Sequence, residues 1–145
     1  MSLKRFLFGE KIILIDDFFG KMESQRTRSE AAKSLSWYLY KKIANFKNDT
    51  FIIAEGNYLG IDLLTKDFLK EFIVNFEQKY SLEIDKLIAQ NDKYSKLKHW
   101  RTTHFISLID PIDDASFEIE FELYDNEKER FIVEYFNYKL QNLEI

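Results

Sequence analysis

The sequence predicts a single α+β domain: N-terminal strands, two central amphipathic helices and a C-terminal antiparallel sheet around one core. Two patterns carry this prediction, a strict two-residue alternation in residues 117–124 and an apolar stripe at helical spacing from Phe68 to Tyr80. The chain has 145 residues, of which 46% are hydrophobic. That length and composition suit one domain with a sizeable core, and they exclude a disordered chain.

The segment from Phe117 to Tyr124 is the clearest element. Apolar and acidic side chains alternate along it, as expected for a strand with one buried and one wet face. The inward set is Phe117, Ile119, Phe121 and Leu123, and the outward set is Glu118, Glu120, Glu122 and Tyr124. The pattern therefore predicts a row of carboxylates on the solvent face of the C-terminal sheet.

In the N-terminal part, short apolar runs predict strands at 3–8, 11–15 and 50–54. Residues 29–43 fit two structures. Ser29 is a suitable N-cap for a helix, whereas the alternation of Leu35, Trp37 and Leu39 is typical of a strand. The aromatic run around Trp37 favours a loop or helical turn up to Lys33 and a strand from Ser34 to Ile43.

The middle of the chain predicts helices at about 66–80 and 82–98, each with one apolar stripe. An unbroken helix over 66–98 would be about 50 Å long, which is too long for one compact domain. We therefore expect a break near Tyr80 and Ser81.

The C-terminal sheet is predicted to contain strands at about 105–109, 117–124 and 130–138. Asp110 and Pro111 end the first of these strands. Residues 125–128 form a four-residue hairpin connection between the other two. Residues 140–145 are either a tail or an edge strand.

Charge is distributed unevenly along the chain, whose formal net charge is −4. Residues 110–145 contain 11 acidic and 3 basic residues, whereas residues 1–109 contain 14 acidic and 18 basic residues. A single-sign field of this kind attracts cationic partners and disfavours nucleic acid. A face that is merely solvated would show the same composition.

The sequence carries no catalytic, cofactor or metal motif, so we expect a non-enzymatic protein. It contains no cysteine, which excludes disulfides and thiolate ligands. The only histidines, His99 and His104, do not have the spacing of a shared metal site on a helix or a strand. Asp110, Asp113 and Asp114 lack the residue order of a calcium loop.

Neither a signal peptide nor an apolar run of membrane-spanning length is found, so a cytoplasmic location without membrane contact is expected. A basic cluster near Trp100 offers a nucleic-acid interpretation. Its members are Lys93, Lys96, Lys98 and Arg101. Charges that end a helix more often complement its dipole, so nucleic acid is the least favoured partner.

Several short motifs, spread over most of the chain, resemble small uncharacterised bacterial domains of the immunity-protein type, found with polymorphic-toxin and contact-dependent inhibition systems. They are the run Asp16-Asp17-Phe18-Phe19-Gly20-Lys21-Met22, Trp37 opening an aromatic strand, the turn Glu55-Gly56…Gly60-Ile61 before an amphipathic helix, and the acidic hairpin of 117–124 and 130–138. The chain departs from that pattern by a longer insertion between Met22 and Trp37.

The resemblance implies neutralisation of a cognate toxin by binding, with no catalytic residues to carry over. A basic nuclease-type toxin suits an acidic face. The predicted contact residues are Asp113, Asp114, Glu118, Glu120, Glu122 and Glu127. The alternative is a small enzyme or ligand-binding domain whose site is assembled from residues distant in sequence, for which a ring-lined pocket would be the sign.

Overall fold

The structure is a computed structural model that describes residues 9–27, 34–113 and 115–145, together with Leu3 and Leu7. Strands before the helical region are β1 (Ile13–Asp16), β2 (Gly20–Ser24), β3 (Leu35–Lys41), β4 (Thr50–Asn57) and β5 (Gly60–Ile61). Strands after it are β6 (His104–Asp113), β7 (Ser116–Leu123), β8 (Asn126–Phe136) and β9 (Lys139–Glu144). The α+β class is confirmed.

Strands from both ends of the chain form one sheet in the order β1-β2-β3-β4-β6-β7-β8-β9, with β5 paired to β4. Neighbouring strands are antiparallel except β4 and β6, which run parallel. Parallel neighbours need a long crossover connection, and the helical region between β5 and β6 provides it.

The strand interpretation of the ambiguous N-terminal segment is confirmed where the structure describes it. Trp37 and Leu39 in β3 point into the core, and Tyr38 and Tyr40 point to the opposite face. Residues 29–33, where a turn was expected, lie outside the described residues. Of the expected strand at 3–8, only Leu3 and Leu7 are described, and both are helical.

The helical region consists of α1 (Leu63–Val74), a π-helical segment (Phe76–Tyr80), α2 (Ser81–Ala89), a 3₁₀ segment (Asp92–Leu97) and one turn, α3 (Trp100–Thr103). The second predicted helix, 82–98, is thus α-helical only to Ala89. Asn91 then leaves helical geometry and its side chain accepts a hydrogen bond from Lys93 N, which starts the 3₁₀ segment.

The break expected near Tyr80 takes the form of the π-helical segment, and the backbone stays helical at Tyr80 and Ser81. Buried side chains recur at every fourth position, at Phe68, Phe72, Phe76, Tyr80 and Ile84. A spacing of four drifts around an α-helix of about 3.6 residues per turn. The wider π turn offsets this drift and keeps the buried stripe on one face.

Aromatic rings join the helical layer to one face of the sheet. Phe68 stacks on Phe117 with ring centroids 4.8 Å apart, and Trp100 meets Phe121 edge to face at 5.2 Å. Phe121 in turn stacks on Phe131 of the neighbouring strand at 4.6 Å. Phe117, Ile119 and Phe121 of the predicted inward set of β7 are buried, so that part of the alternation is confirmed, whereas Leu123 is half-buried.

Asp16 ties the sheet edge to α1. Its carboxylate pairs with Lys66 and accepts hydrogen bonds from the backbone N–H groups of Phe18 and Phe19 at 2.8 and 2.9 Å. Burial alone would raise the pKa of Asp16, but the bonds from Lys66, Phe19 and Phe18 outweigh it and lower the pKa to about 2.

We expect Asp16→Asn to lower the free energy of unfolding at neutral pH by about 1–2 kcal/mol. The stabilisation comes from a lowered pKa, so it is complete above the ordinary value of 3.8 and is lost as the pH falls towards 2. Urea unfolding of both proteins between neutral pH and pH 2.5 measures it. An effect that is the same at every pH would contradict this account.

Candidate functional site

The sheet has a second face that the described helices leave open. Its acidic part, here called the acidic face, is formed by outward side chains of β4, β6, β7 and β8. They are Glu55, Asp110, Glu118, Glu120, Glu122 and Glu134, all half-buried. Glutamates predicted to point outward from β7 therefore do so, but they are flanked by carboxylates that the sequence analysis had not selected.

Three of these carboxylates lie directly opposite one another on adjacent strands. Glu118 in β7 is opposite Asp110 in β6 on one side and opposite Glu134 in β8 on the other. Like charges in directly opposite positions destabilise a sheet. Glu55 of β4 adds its charge to the field at Asp110, so the row spans four strands.

A β-bulge places Asp110 in this row. Ile106 is buried, and strict alternation would turn every second residue after it, including Asp110, into the core. The register shifts between Ile106 and Leu108, so that Ile109 is buried and Asp110 lies opposite Glu118 on the open face. The strand also continues through Asp110 and Pro111, where the sequence analysis had ended it.

Glu120 differs from Glu118 in having a cationic partner. Arg130 of β8 donates to both carboxylate oxygens of Glu120 at 3.3 Å. Ser107 Oγ, at the bulge, donates to the backbone oxygen of Glu120 at 3.2 Å. Glu120 is therefore partly neutralised within the chain, whereas Glu118 faces other carboxylates.

The remaining predicted contact residues have different positions. Asp113 is the last residue of β6, and its carboxylate accepts a hydrogen bond from Ala115 N at 3.0 Å, so it stabilises the turn that follows. Glu127 lies in β8, because the hairpin connection is only residues 124–125, and its charge acts on Glu122. Asp114 lies outside the described residues.

The environment of the row disfavours ionisation. Partial burial, followed by the charges of Glu134 and Asp110, raises the pKa of Glu118 above its ordinary 4.5. Burial and Glu55 likewise raise the pKa of Asp110. Burial and a contact with Glu120 raise the pKa of Glu122. Positive charge brought to this face would favour the ionised forms and be bound in return.

A groove of about 840 Å³ lies towards the other end of the open face. Its floor contains a row of rings in which Tyr38 and Tyr40 lie 6.0 and 5.1 Å from Phe51, measured between centroids. Lys11, Lys21 and Lys42 are among the residues that line it. Asp17, Glu23 and Asp49 line the groove as well, and Glu23 pairs with Lys11 and Lys21. The rings and Lys42 are therefore what the groove offers to a planar, anionic ligand.

The basic cluster near Trp100 does not form a stacking surface. Trp100 is 1% exposed, and its Nε1 donates to Asp85 at 2.8 Å. Arg101 pairs with the same carboxylate. The indole is therefore unavailable to a nucleic-acid base.

His104 is buried beside Phe131 and within 2.8 Å of Thr103 Oγ1, and burial lowers its pKa. In the part of the chain that the structure describes, no three acidic or histidine side chains are arranged to hold a metal ion. Within the same residues, no helix has the length and apolar character needed to cross a membrane.

Comparisons of the chain with protein-family models, curated proteins and solved structures found no match.

We expect Glu118→Gln to stabilise the protein at neutral pH by about 0.5 kcal/mol, because it removes a like charge between Asp110 and Glu134. A raised pKa means that the wild type regains this stability as the pH falls, so the gain should vanish below pH 4.5. Thermal melts across this pH range measure it.

Glu83→Gln, at a half-buried position on α2, is the matched control and should show no comparable gain. If Glu118→Gln were less stable than the wild type at neutral pH, the carboxylate of Glu118 would be favourably paired. That result would contradict the expected repulsion from Asp110 and Glu134.

Proposed function

We propose that this protein is a non-enzymatic, immunity-type inhibitor that neutralises a cognate basic toxin by binding it with the acidic face. The single observation that supports this most strongly is the row of Asp110, Glu118 and Glu134, directly opposed on three adjacent strands. A sheet gains nothing in stability from such a row. A cationic partner would compensate the repulsion within the row.

Binding would follow from ordinary electrostatics. A face of one charge steers an oppositely charged protein and speeds its association. Lysine or arginine side chains laid along the row would relieve the repulsion around Glu118. Because these carboxylates are already half-buried, less water remains to be removed from them on binding than from fully exposed ones.

The toxin class follows from the same chemistry together with the resemblance. A nuclease needs a basic surface to hold the phosphates of its substrate, and an acidic sheet face that covers this surface would block it. Such an inhibitor works where the toxin acts, so the cytoplasm is the proposed location.

The test begins by searching the adjacent genes for a large secreted protein with a basic C-terminal domain; co-purification with that domain, followed by titration, then measures binding. We expect Glu118→Lys combined with Glu134→Lys to weaken binding by about 100-fold or more, since charge pairs at an interface are worth several kcal/mol. Binding by the wild type should also weaken with added salt.

A matched control reverses two exposed acids of the helical layer, Asp67→Lys with Asp92→Lys, and produces the same change in net charge. It should leave affinity within about threefold of the wild type, because those charges are screened from the face. Equal loss in both variants would point to net charge alone, and undiminished binding by the first variant would exclude the acidic face.

The ring-lined groove supports a second candidate, a domain that binds a small planar anion. The supporting observation is the row of Tyr38, Phe51 and Tyr40 with lysines at its rim. Rings of this kind stack on bases without reading their sequence, and lysines hold a phosphate.

Titration with adenosine monophosphate, followed by NMR, separates the two candidates. If the groove is the site, resonances of Tyr38 and Phe51 should shift, and Phe51→Ala should weaken binding by about tenfold, the loss of one stacking contact. No shift at millimolar ligand would exclude this candidate and leave the acidic face untouched.

A further inference from the structure

β1 forms one edge of the sheet, and the phase of its hydrogen bonds shows which backbone groups face outward. Ser24 N donates to Ile12 O at 2.9 Å, so even-numbered residues of β1 bond to β2. In an antiparallel pair alternate residues bond to the same neighbour. The N–H and C=O groups of Ile13 and Ile15 therefore point away from β2, and within the described residues β1 pairs only with β2.

Apolar surface is concentrated on both sides of this edge. On the open face, Ile13 and Ile15 are 55% and 76% exposed. On the helical side, Leu59, Leu63 and Leu64 are 72–77% exposed and line a cavity of about 860 Å³ together with Leu14 of β1. An edge with exposed apolar side chains on both sides is a template for adding a strand.

The sequence of the edge is complementary to itself when it is reversed. Residues 11–17 read Lys-Ile-Ile-Leu-Ile-Asp-Asp, with a cation at one end, anions at the other and apolar residues between them. Lys11 and Asp17 are both exposed. Glu23 is bound by Lys21 as well as by Lys11, at 3.1 and 3.2 Å, so Lys11 can turn outward without leaving Glu23 unpaired.

We propose that a second copy of this chain binds here, through antiparallel pairing of the two β1 strands about a two-fold axis at Leu14. In this register Ile13 lies opposite the partner's Ile15, and both residues have outward backbone groups. Each such pair exchanges two backbone hydrogen bonds. The two-fold axis produces the pair twice, so four bonds form. Lys11 lies opposite the partner's Asp17 at each end of the ladder. Both sheets keep their helical layers on the same side.

Each side of this junction is apolar. Ile13 and Ile15 of the two copies meet on the open face. Leu14 meets the partner's Leu14 on the helical side, flanked by the exposed leucines of both copies. The opposite edge of the sheet offers no equivalent, because the exposed residues of β9 are polar or charged: Lys139, Gln141, Asn142 and Glu144. The inference does not depend on the proposed function, since the acidic face lies on β4–β8.

The ion pairs make the register testable by charge exchange. Lys11→Asp alone puts two anions opposite each other at both ends, and Asp17→Lys alone does the same with cations. Each variant should raise the dimer dissociation constant by about tenfold or more, measured by analytical ultracentrifugation. An equimolar mixture of the two variants restores both ion pairs and should recover the dimer.

Lys79→Asp is the matched control, because it reverses an exposed lysine that pairs with Glu71 at 2.9 Å, away from β1, and should leave the dimer unchanged. Ile15→Lys should abolish pairing by placing a charge at the edge, with circular dichroism confirming that each variant is folded. A single 17.5 kDa species of the wild type from micromolar to millimolar concentration would overturn the proposal. So would a dimer that persists in Ile15→Lys, or a mixture that does not recover pairing.

Discussion

Ring packing between the helical layer and the sheet is the constraint on which the other features depend. Phe68 of α1 packs on Phe117 of β7, and Trp100 of α3 packs on Phe121 of the same strand. Each buried ring removes about 150–250 Å² from water, so a few such contacts exceed any single interaction on the open face. The π-helical segment keeps Phe68, Phe72, Phe76 and Tyr80 on the face that meets the sheet, whereas a regular α-helix would let this stripe drift.

Concentrating the core on one face of the sheet leaves the other face free to vary in composition. The carboxylates around Glu118 weaken the sheet by a small amount, whereas the buried rings behind them stabilise it by far more. The same strands can therefore carry a stable core and an unfavourable charge row. Division of roles between odd and even positions of β7 and β8 makes this possible.

Features with a strict period were predictable from the sequence, and features set by local irregularity were not. The alternation in 117–124 gave β7 and its outward glutamates, and the alternation around Trp37 favoured a strand that the structure confirms. Asp110 was missed because Asp110 and Pro111 are typical of a strand end, whereas β6 continues through both residues and carries a bulge that leaves no pattern in the sequence. Glu134 alternates with Val133 and Tyr135, which are predicted inward and are buried, so the alternation of β8 also places it outward, although it was not among the predicted contact residues. The apolar residues of 82–98 keep helical spacing throughout, so the sequence did not indicate the change from α-helix to 3₁₀ geometry at Asn91.

The parallel contact between β4 and β6 divides the sheet into two antiparallel arrays. Phe51 pairs with Leu108 and Ile52 with Ile109 across it, and buried Thr50 adds a side-chain bond to Ile106 O at 2.8 Å. Within each array neighbouring strands are close in sequence, whereas this seam joins residues more than fifty positions apart. Contacts between distant residues form late because closing long loops costs entropy. From this topology we expect each array to assemble from local hairpins and the two arrays to dock along the seam afterwards.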